Sequence, residues 1–215
     1  KRSEVLGLVT QDRRTIAVAG THGKTTVTTM VAHLLTSGGV RCNAFMGGIS
    51  GNYGTNVLLN DEAVLNVVEA DEYDRSFLAL HPNAAIITAM DPDHLDIYGT
   101  AEEMYGAYGD FARLVTGKML VHRRVLPHLM AQCCPLPHAE PYALDGPEGP
   151  HAENVRVENG AYLFDLIAEG HERRGLRLGM PGRHNVENAI AASAMALHLG
   201  VPPEKLREGL ACFQG

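Results

Sequence analysis

The sequence predicts an α/β domain: a mostly parallel sheet flanked by helices, with a small antiparallel sheet added. Three observations carry this. Short β-branched apolar runs alternate with amphipathic helical stretches over the first 122 residues. Each early run ends in a glycine-rich or acidic stretch, the place where parallel strands deliver ligands. After about residue 133 the pattern changes to turns and alternating strands around Asn159-Gly160, a hairpin pair.

Residues 1–14 are polar and charged around a short apolar patch, and read as an amphipathic first turn or a linker stub. Thr15–Ala19 is short and β-branched enough for a buried strand. Val27, Met30, Val31, Leu34 and Leu35 fall at helical spacing behind it. Between them stands Gly20-Thr21-His22-Gly23-Lys24-Thr25-Thr26. A glycine turn that opens a helix presents backbone N–H groups and the positive dipole end to an anion. Lys24 adds a cation, and Thr25 or Thr26 a hydroxyl for a magnesium ion. The spacing is shorter than G-x-x-x-x-G-K-[ST], because Val18 stands where the first glycine would be. The stretch is expected to bind the phosphates of a nucleotide.

Val40–Met46 reads as the second strand, followed by a loop at 47–56 with four glycines that ends in Thr55-Asn56. Such a loop lets backbone and Asn side chains approach a ligand closely. Ala63–Val68 is a third run, and Glu69, Asp71, Glu72 and Asp74 crowd its end. A carboxylate at a strand tip beside a phosphate loop is where a magnesium ligand belongs. Glu69, the first charge to leave the strand, is the candidate. Ala84–Met90 is a fourth run, and Asp91-Pro92-Asp93-His94 behind it offers His94 as a metal or phosphate contact. A helix over 100–115 and a strand over 117–122 complete the alternation. Val155, Val157, Tyr162, Phe164 and Leu166 flank the hairpin turn, and Leu176 and Leu178 extend the antiparallel pattern. Pro181-Gly182-Arg183-His184-Asn185 precedes a small-residue helix, and Pro202-Pro203 opens a last short one.

Composition sets limits. Net charge is −7 over 215 residues, which argues against a general nucleic-acid surface. No apolar run approaches the roughly 20 residues of a membrane span. Cys42, Cys133, Cys134 and Cys212 have no metal spacing and read as reduced cytosolic thiols. A cytoplasmic protein is expected.

Taken together, Gly20–Thr26, Gly54-Thr55-Asn56, Glu69-Ala-Asp-Glu-Tyr-Asp74, Asp91-Pro-Asp-His-Leu-Asp-Ile-Tyr98 and Gly182-Arg-His-Asn-Val-Glu-Asn188 resemble the Mur ligase family, the ATP-dependent amide-bond ligases of cell-wall synthesis. They span nearly the whole chain in the family's order. The resemblance implies the central ATP-binding domain over 15–215, with 1–14 a stub from an N-terminal UDP-binding domain and a C-terminal domain following. It implies ATP on Gly20, Thr21, His22, Gly23, Lys24, Thr25 and Thr26, with His184, Asn185 and Asn188 bordering the adenine. It places magnesium on Thr25, Glu69 and His94, and the substrate's phosphate and muramyl region at Thr55, Asn56 and His94. Lys24, Glu69 and His94 would carry the catalysis. Several relatives have a carbamylated lysine after the Asp-His motif, but no lysine lies between His94 and Lys118. That points to the alanine-adding branch, whose substrates are UDP-N-acetylmuramate and L-alanine. A ligase that reattaches recycled murein tripeptide is the alternative, and a nucleotide-binding fragment inactive alone is another. The separate chain is expected not to ligate by itself.

Overall fold

The central strand is buried on both of its faces. In the computed structural model, which describes residues 2–93 and 95–215, β1 (Arg14–Ala19) is solvent-free from Thr15 onward. Its side chains alternate between two cores, as strand geometry requires. Ile16 and Val18 face α2 (Lys24–Ser37), and Ala17 and Ala19 face the opposite layer.

The chain runs from α1 (Arg2–Gln11) through β1, α2, β2 (Cys42–Phe45), β3 (Val57–Leu58), β4 (Leu65–Glu69) and a 3-10 segment (Tyr73–Ala79). It continues with β5 (Ala84–Ile87), α3 (Leu95–Tyr98), α4 (Ala101–Leu114), β6 (Met119–His122), α5 (Leu126–Gln132) and β7 (Ala139–Tyr142). The hairpin strands β8 (His151–Glu158), β9 (Ala161–Ala168) and β10 (His171–Leu178) precede α6 (Arg183–His198) and α7 (Lys205–Cys212). Seven strands form one sheet in the order β3-β2-β4-β1-β5-β6-β7, parallel except for β3. The added antiparallel sheet has the order β10-β9-β8 and turns at Asn159-Gly160, both in left-handed conformation. The predicted fold class is thus the observed one.

Several boundaries differ from expectation. Residues 2–11 form a helix tied to the sheet, with Asn66 Nδ2 donating to the Val9 carbonyl at 3.1 Å. The 84–90 run is strand only to Ile87, and α5 and β7 were not anticipated. β7 carries Pro141 opposite Val121 at the sheet edge, where a missing N–H costs no ladder bond. The turn-rich 133–150 stretch masks it. The last long helix starts at Arg183, so His184 and Asn185 occupy its first turn and not the loop before it.

One core layer joins α2 and α6 to Phe164, Leu166, Leu176 and Leu178 of the antiparallel sheet. The other joins the 3-10 segment, α4 and α5, with Phe77 stacked on Phe111 at 5.0 Å and edge-on to Tyr108 at 5.2 Å.

Asp165 pins the irregular points of the small sheet. It accepts from Asn154 Nδ2 at 2.7 Å and from Gly175 N–H at 2.6 Å, where the register shifts on either side of β9. The Asn154 bond leads in holding its carboxyl below the ordinary carboxylate range. A depressed folded-state value stabilises the protein above the unfolded value and is lost as pH falls through the folded one. Asp165→Ala is therefore expected to lower stability by about 1–3 kcal/mol at neutral pH. Melting curves of the two proteins should converge as pH falls below about 3.9.

Candidate active site

Strand register builds the rim of the site. β1 pairs with β4 as Val18↔Glu69 and with β5 as Ala19↔Ile87. Gly20, Glu69 and Thr88 therefore emerge together at the carboxyl ends of three adjacent parallel strands, where α/β sheets place ligands.

The loop from Gly20 to Gly23 is shaped by backbone that only glycine adopts at low cost. Gly20 has φ +138, and Gly23, the N-cap of α2, has φ +82 with no side-chain hydrogen bond. The first N–H groups of a helix have no intrahelical partner, so this end suits an anion. Thr88 ties the loop down by donating to the His22 carbonyl, while Thr21 N–H donates to Ala89 O at 3.3 Å. Thr21 is buried with its hydroxyl accepting from Asp91 N–H at 3.1 Å. His22 is exposed, 4.0 Å from Asp91. Thr26 lies on the first turn of α2.

Two further loops converge here. Thr25 Oγ1 donates to Glu69 Oε1 at 3.0 Å, and the other carboxylate oxygen accepts from Gly47 N–H at 2.6 Å. A Cβ at Gly47 would lie 2.4 Å from Glu69 Oε1, so only glycine fits there without displacing the carboxylate. Lys24 Nζ lies 2.8 Å from each oxygen of Glu72, a contact that sequence reasoning did not single out. Four acids close together offered no sign of which one turns inward.

On the other side, α6 brings Asn188 against the loop, since a Cβ at Gly23 would meet its Oδ1 at 3.0 Å. Asn188 Nδ2 donates to Asn185 Oδ1 at 3.2 Å, and Asn185 Nδ2 to Pro181 O at 2.6 Å. Both asparagines are buried and His184 is exposed. A cavity of about 410 Å³ opens between α6 and the loop. His22, Gly23, His184, Glu187 and Asn188 line it, together with Tyr105, His122, Arg124, His128 and Tyr142. Sequence reading missed this second group, of which His128 and Tyr142 lie on α5 and β7, two elements that were not recognised. His122 Nε2 lies 3.4 Å from Glu187 Oε1 and holds the Glu187 carboxyl below its ordinary range.

Asn56 and Thr55 sit at the far end of the glycine loop. Met46 N–H donates to Asn56 O at 2.9 Å, beside Gly47, and the Asn56 side chain is exposed. Ser50 N–H donates to Thr55 O at 3.0 Å. His94 lies outside the described residues. Among the described residues no group of three or more His, Cys, Asp and Glu gathers as a metal cage, and no helix is long and apolar enough to cross a membrane.

The hard-oxygen pair of Thr25 and Glu69 fits a magnesium ion, which takes one or two protein ligands and completes its shell with water and phosphate. The glycine loop and uncapped helix end fit the phosphates.

Comparison with known proteins gives the family. The model described as the Mur ligase middle domain matches residues 18–196. UDP-N-acetylmuramate–L-alanine ligases of Phocaeicola vulgatus and Porphyromonas gingivalis are 44% and 46% identical over the whole chain. The chain spans about half their length, 47% of each. Among solved structures, the UDP-N-acetylmuramate:L-alanyl-γ-D-glutamyl-meso-diaminopimelate ligase of Neisseria meningitides superposes with a TM-score of 0.85 at 26% identity, over 99% of this chain and 70% of that one. The UDP-N-acetylmuramate–alanine ligase of Thermotoga maritima gives 0.79 at 28%, over 97% and 46%. The chain belongs to the Mur ligase family, whose middle domain it contains.

Proposed function

We propose that this chain is the ATP-binding central domain of a cytoplasmic ligase that joins L-alanine to UDP-N-acetylmuramate in peptidoglycan synthesis. The observation that carries the reading is the convergence of Lys24, Thr25, Glu69 and Gly47 on one strand rim, beside a cavity reached by Asn188. The flanking UDP-binding and C-terminal domains belong to the same polypeptide in this reading, and residues 1–14 lead in from the first of them.

ATP is a substrate here. The turn from Gly20 to Thr26 holds its phosphates, with Lys24 balancing their charge, and His184, Asn185 and Asn188 border the adenine. Thr25 and Glu69, joined by His94, would hold magnesium, which when bound screens the phosphate charge. Thr55 and Asn56 face the sugar substrate, whose carboxylate approaches near His94. The carboxylate oxygen attacks the γ-phosphorus and ADP leaves. The alanine amine then attacks the acyl carbon through a tetrahedral intermediate, and phosphate departs as the amide forms. Positioning and charge neutralisation supply most of the rate in such phosphoryl transfers, and this set of residues is suited to both. No Ser or Cys nucleophile is needed.

The higher TM-score to the diaminopimelate-peptide ligase supports a second reading, in which murein tripeptide is the acceptor. Phosphate release by the intact polypeptide, measured with UDP-N-acetylmuramate and each of L-alanine, L-serine, glycine and murein tripeptide, separates the two. Preference for L-alanine is expected. Release with tripeptide alone would transfer the chain to the recycling reaction.

A further inference from the structure

We propose that Glu72 is a positioning residue for turnover: its buried carboxylate fixes the Lys24 ammonium over the phosphate loop. This rests on the reading of that loop as the ATP site.

Four acids cluster at the end of β4, and they divide sharply. Asp71 and Asp74 are exposed and Glu69 is turned to Thr25 and Gly47, but Glu72 is buried, its side chain 1% accessible. Among the described residues its cationic contact is Lys24, itself 14% accessible, at 2.8 Å from each oxygen. An aliphatic ammonium on a four-carbon stem has many rotamers, so a carboxylate held still is an effective way to choose one.

The backbone around Glu72 is fastened on both sides. Asp74 and Arg75 follow in consecutive left-handed conformations, φ 52 and 54, which non-glycine residues adopt at a cost. Arg75 N–H donates to the Glu72 carbonyl at 3.0 Å, and Phe77 N–H to the Asp71 carbonyl at 2.9 Å. The Tyr98 hydroxyl also donates to the Glu72 carbonyl. Burial, then the Glu72 charge, push that hydroxyl up to about 12, so it remains a donor. Phe77, packed between Phe111 and Tyr108, anchors the far end of the segment. A strained turn with this many restraints serves to hold one carboxylate inward.

The charge itself works against phosphate binding, because a buried anion beside the loop repels the nucleotide. Orientation of Lys24 is what remains to be gained. The two effects separate in kinetics: loss of the charge should not weaken nucleotide binding, yet should slow the reaction.

The test is Glu72→Gln in the intact ligase polypeptide, with turnover followed by phosphate release and affinity by titration with a non-hydrolysable ATP analogue. We expect kcat to fall roughly 100-fold, the scale of a misplaced catalytic group, with the dissociation constant unchanged or tighter. Glu72→Asp should recover about tenfold of that loss by restoring the charge. A kcat within about threefold of wild type, or a loss of affinity that accounts for the whole loss of kcat/KM, overturns the proposal. Should Glu72→Gln fail to melt cooperatively, Glu72→Asp decides alone: a reduced kcat at unchanged affinity supports it and an unchanged kcat ends it. Lys24→Ala run in parallel separates the two readings, since full turnover in that variant removes the phosphate-loop assignment instead.

Discussion

Lys24→Ala is expected to lower turnover of the intact ligase by about 10²–10³-fold, the usual range when one preorganised electrostatic contact to a transition state is removed. Here the variant has a second consequence. Lys24 is the cation in contact with Glu72, whose side chain is 1% accessible. Breaking a buried pair from one side leaves an uncompensated charge and costs about 3–5 kcal/mol. A substitution usually regarded as purely catalytic should therefore also lower the melting temperature. The double variant Lys24→Ala, Glu72→Gln should melt above the single one while remaining inactive. Calorimetry on the three proteins with phosphate release alongside checks both halves. Equal melting temperatures for wild type and Lys24→Ala would show that the pair contributes nothing to stability.

Gly20→Ala is expected to damage both the fold and the phosphate loop. At φ +138 a side chain is strained, and its Cβ would stand 2.1 Å from Thr88 Oγ1 and 2.8 Å from Ala89 N. Thr88 cannot yield cheaply, because its hydroxyl holds the Ala19 and His22 carbonyls. Strain of about 1–3 kcal/mol and overpacking of a similar size fall on the turn that shapes the phosphate site. Melting should drop by roughly 4–24 °C on a scale of about 2–4 °C per kcal/mol, and nucleotide affinity should fall with it. Gly106→Ala in α4 is the control. A Cβ there meets nothing within 4 Å, so a helix interior gains about 0.5–1 kcal/mol from the change. If the two substitutions moved the melting point alike, the steric account of Gly20 would be wrong.

Legibility in the sequence followed the physics of each segment. β1, α2 and β4 were plain because burial on both faces demands unbroken apolar runs and a core-facing helix demands its period. The β8–β9 turn was plain because Asn159-Gly160 has few alternatives to a left-handed pair. β7 was hidden because Pro141 reads as a breaker, although an edge position excuses it. α1 was ambiguous because Val5 and Leu8 stay exposed, which blurs its amphipathic period. Among the candidate site residues, the glycine loop and Glu69 were singled out from residue type and place in the strand–helix alternation. Glu72 was not found, since its inward turn depends on left-handed backbone at Asp74 and Arg75 that nothing in their residue types announces. The His122 and Tyr142 wall of the cavity depends on β6–β7 pairing across distant segments.

The edges of the seven-stranded sheet also bear on how safely the chain can be made. An open strand edge offers a ladder of N–H and C=O groups to any other chain that is still folding. At one end β3 is two residues long and antiparallel, too short a template to recruit a neighbour. At the other, Pro141 removes a donor from β7, and the loop at Gly149 packs directly over the Pro141 carbonyl. Parallel sheets assemble slowly from distant segments and leave such edges open meanwhile. The proline that hid β7 in the sequence thus acts as a guard against intermolecular strand addition, and its exchange for a β-branched residue would extend the ladder outward.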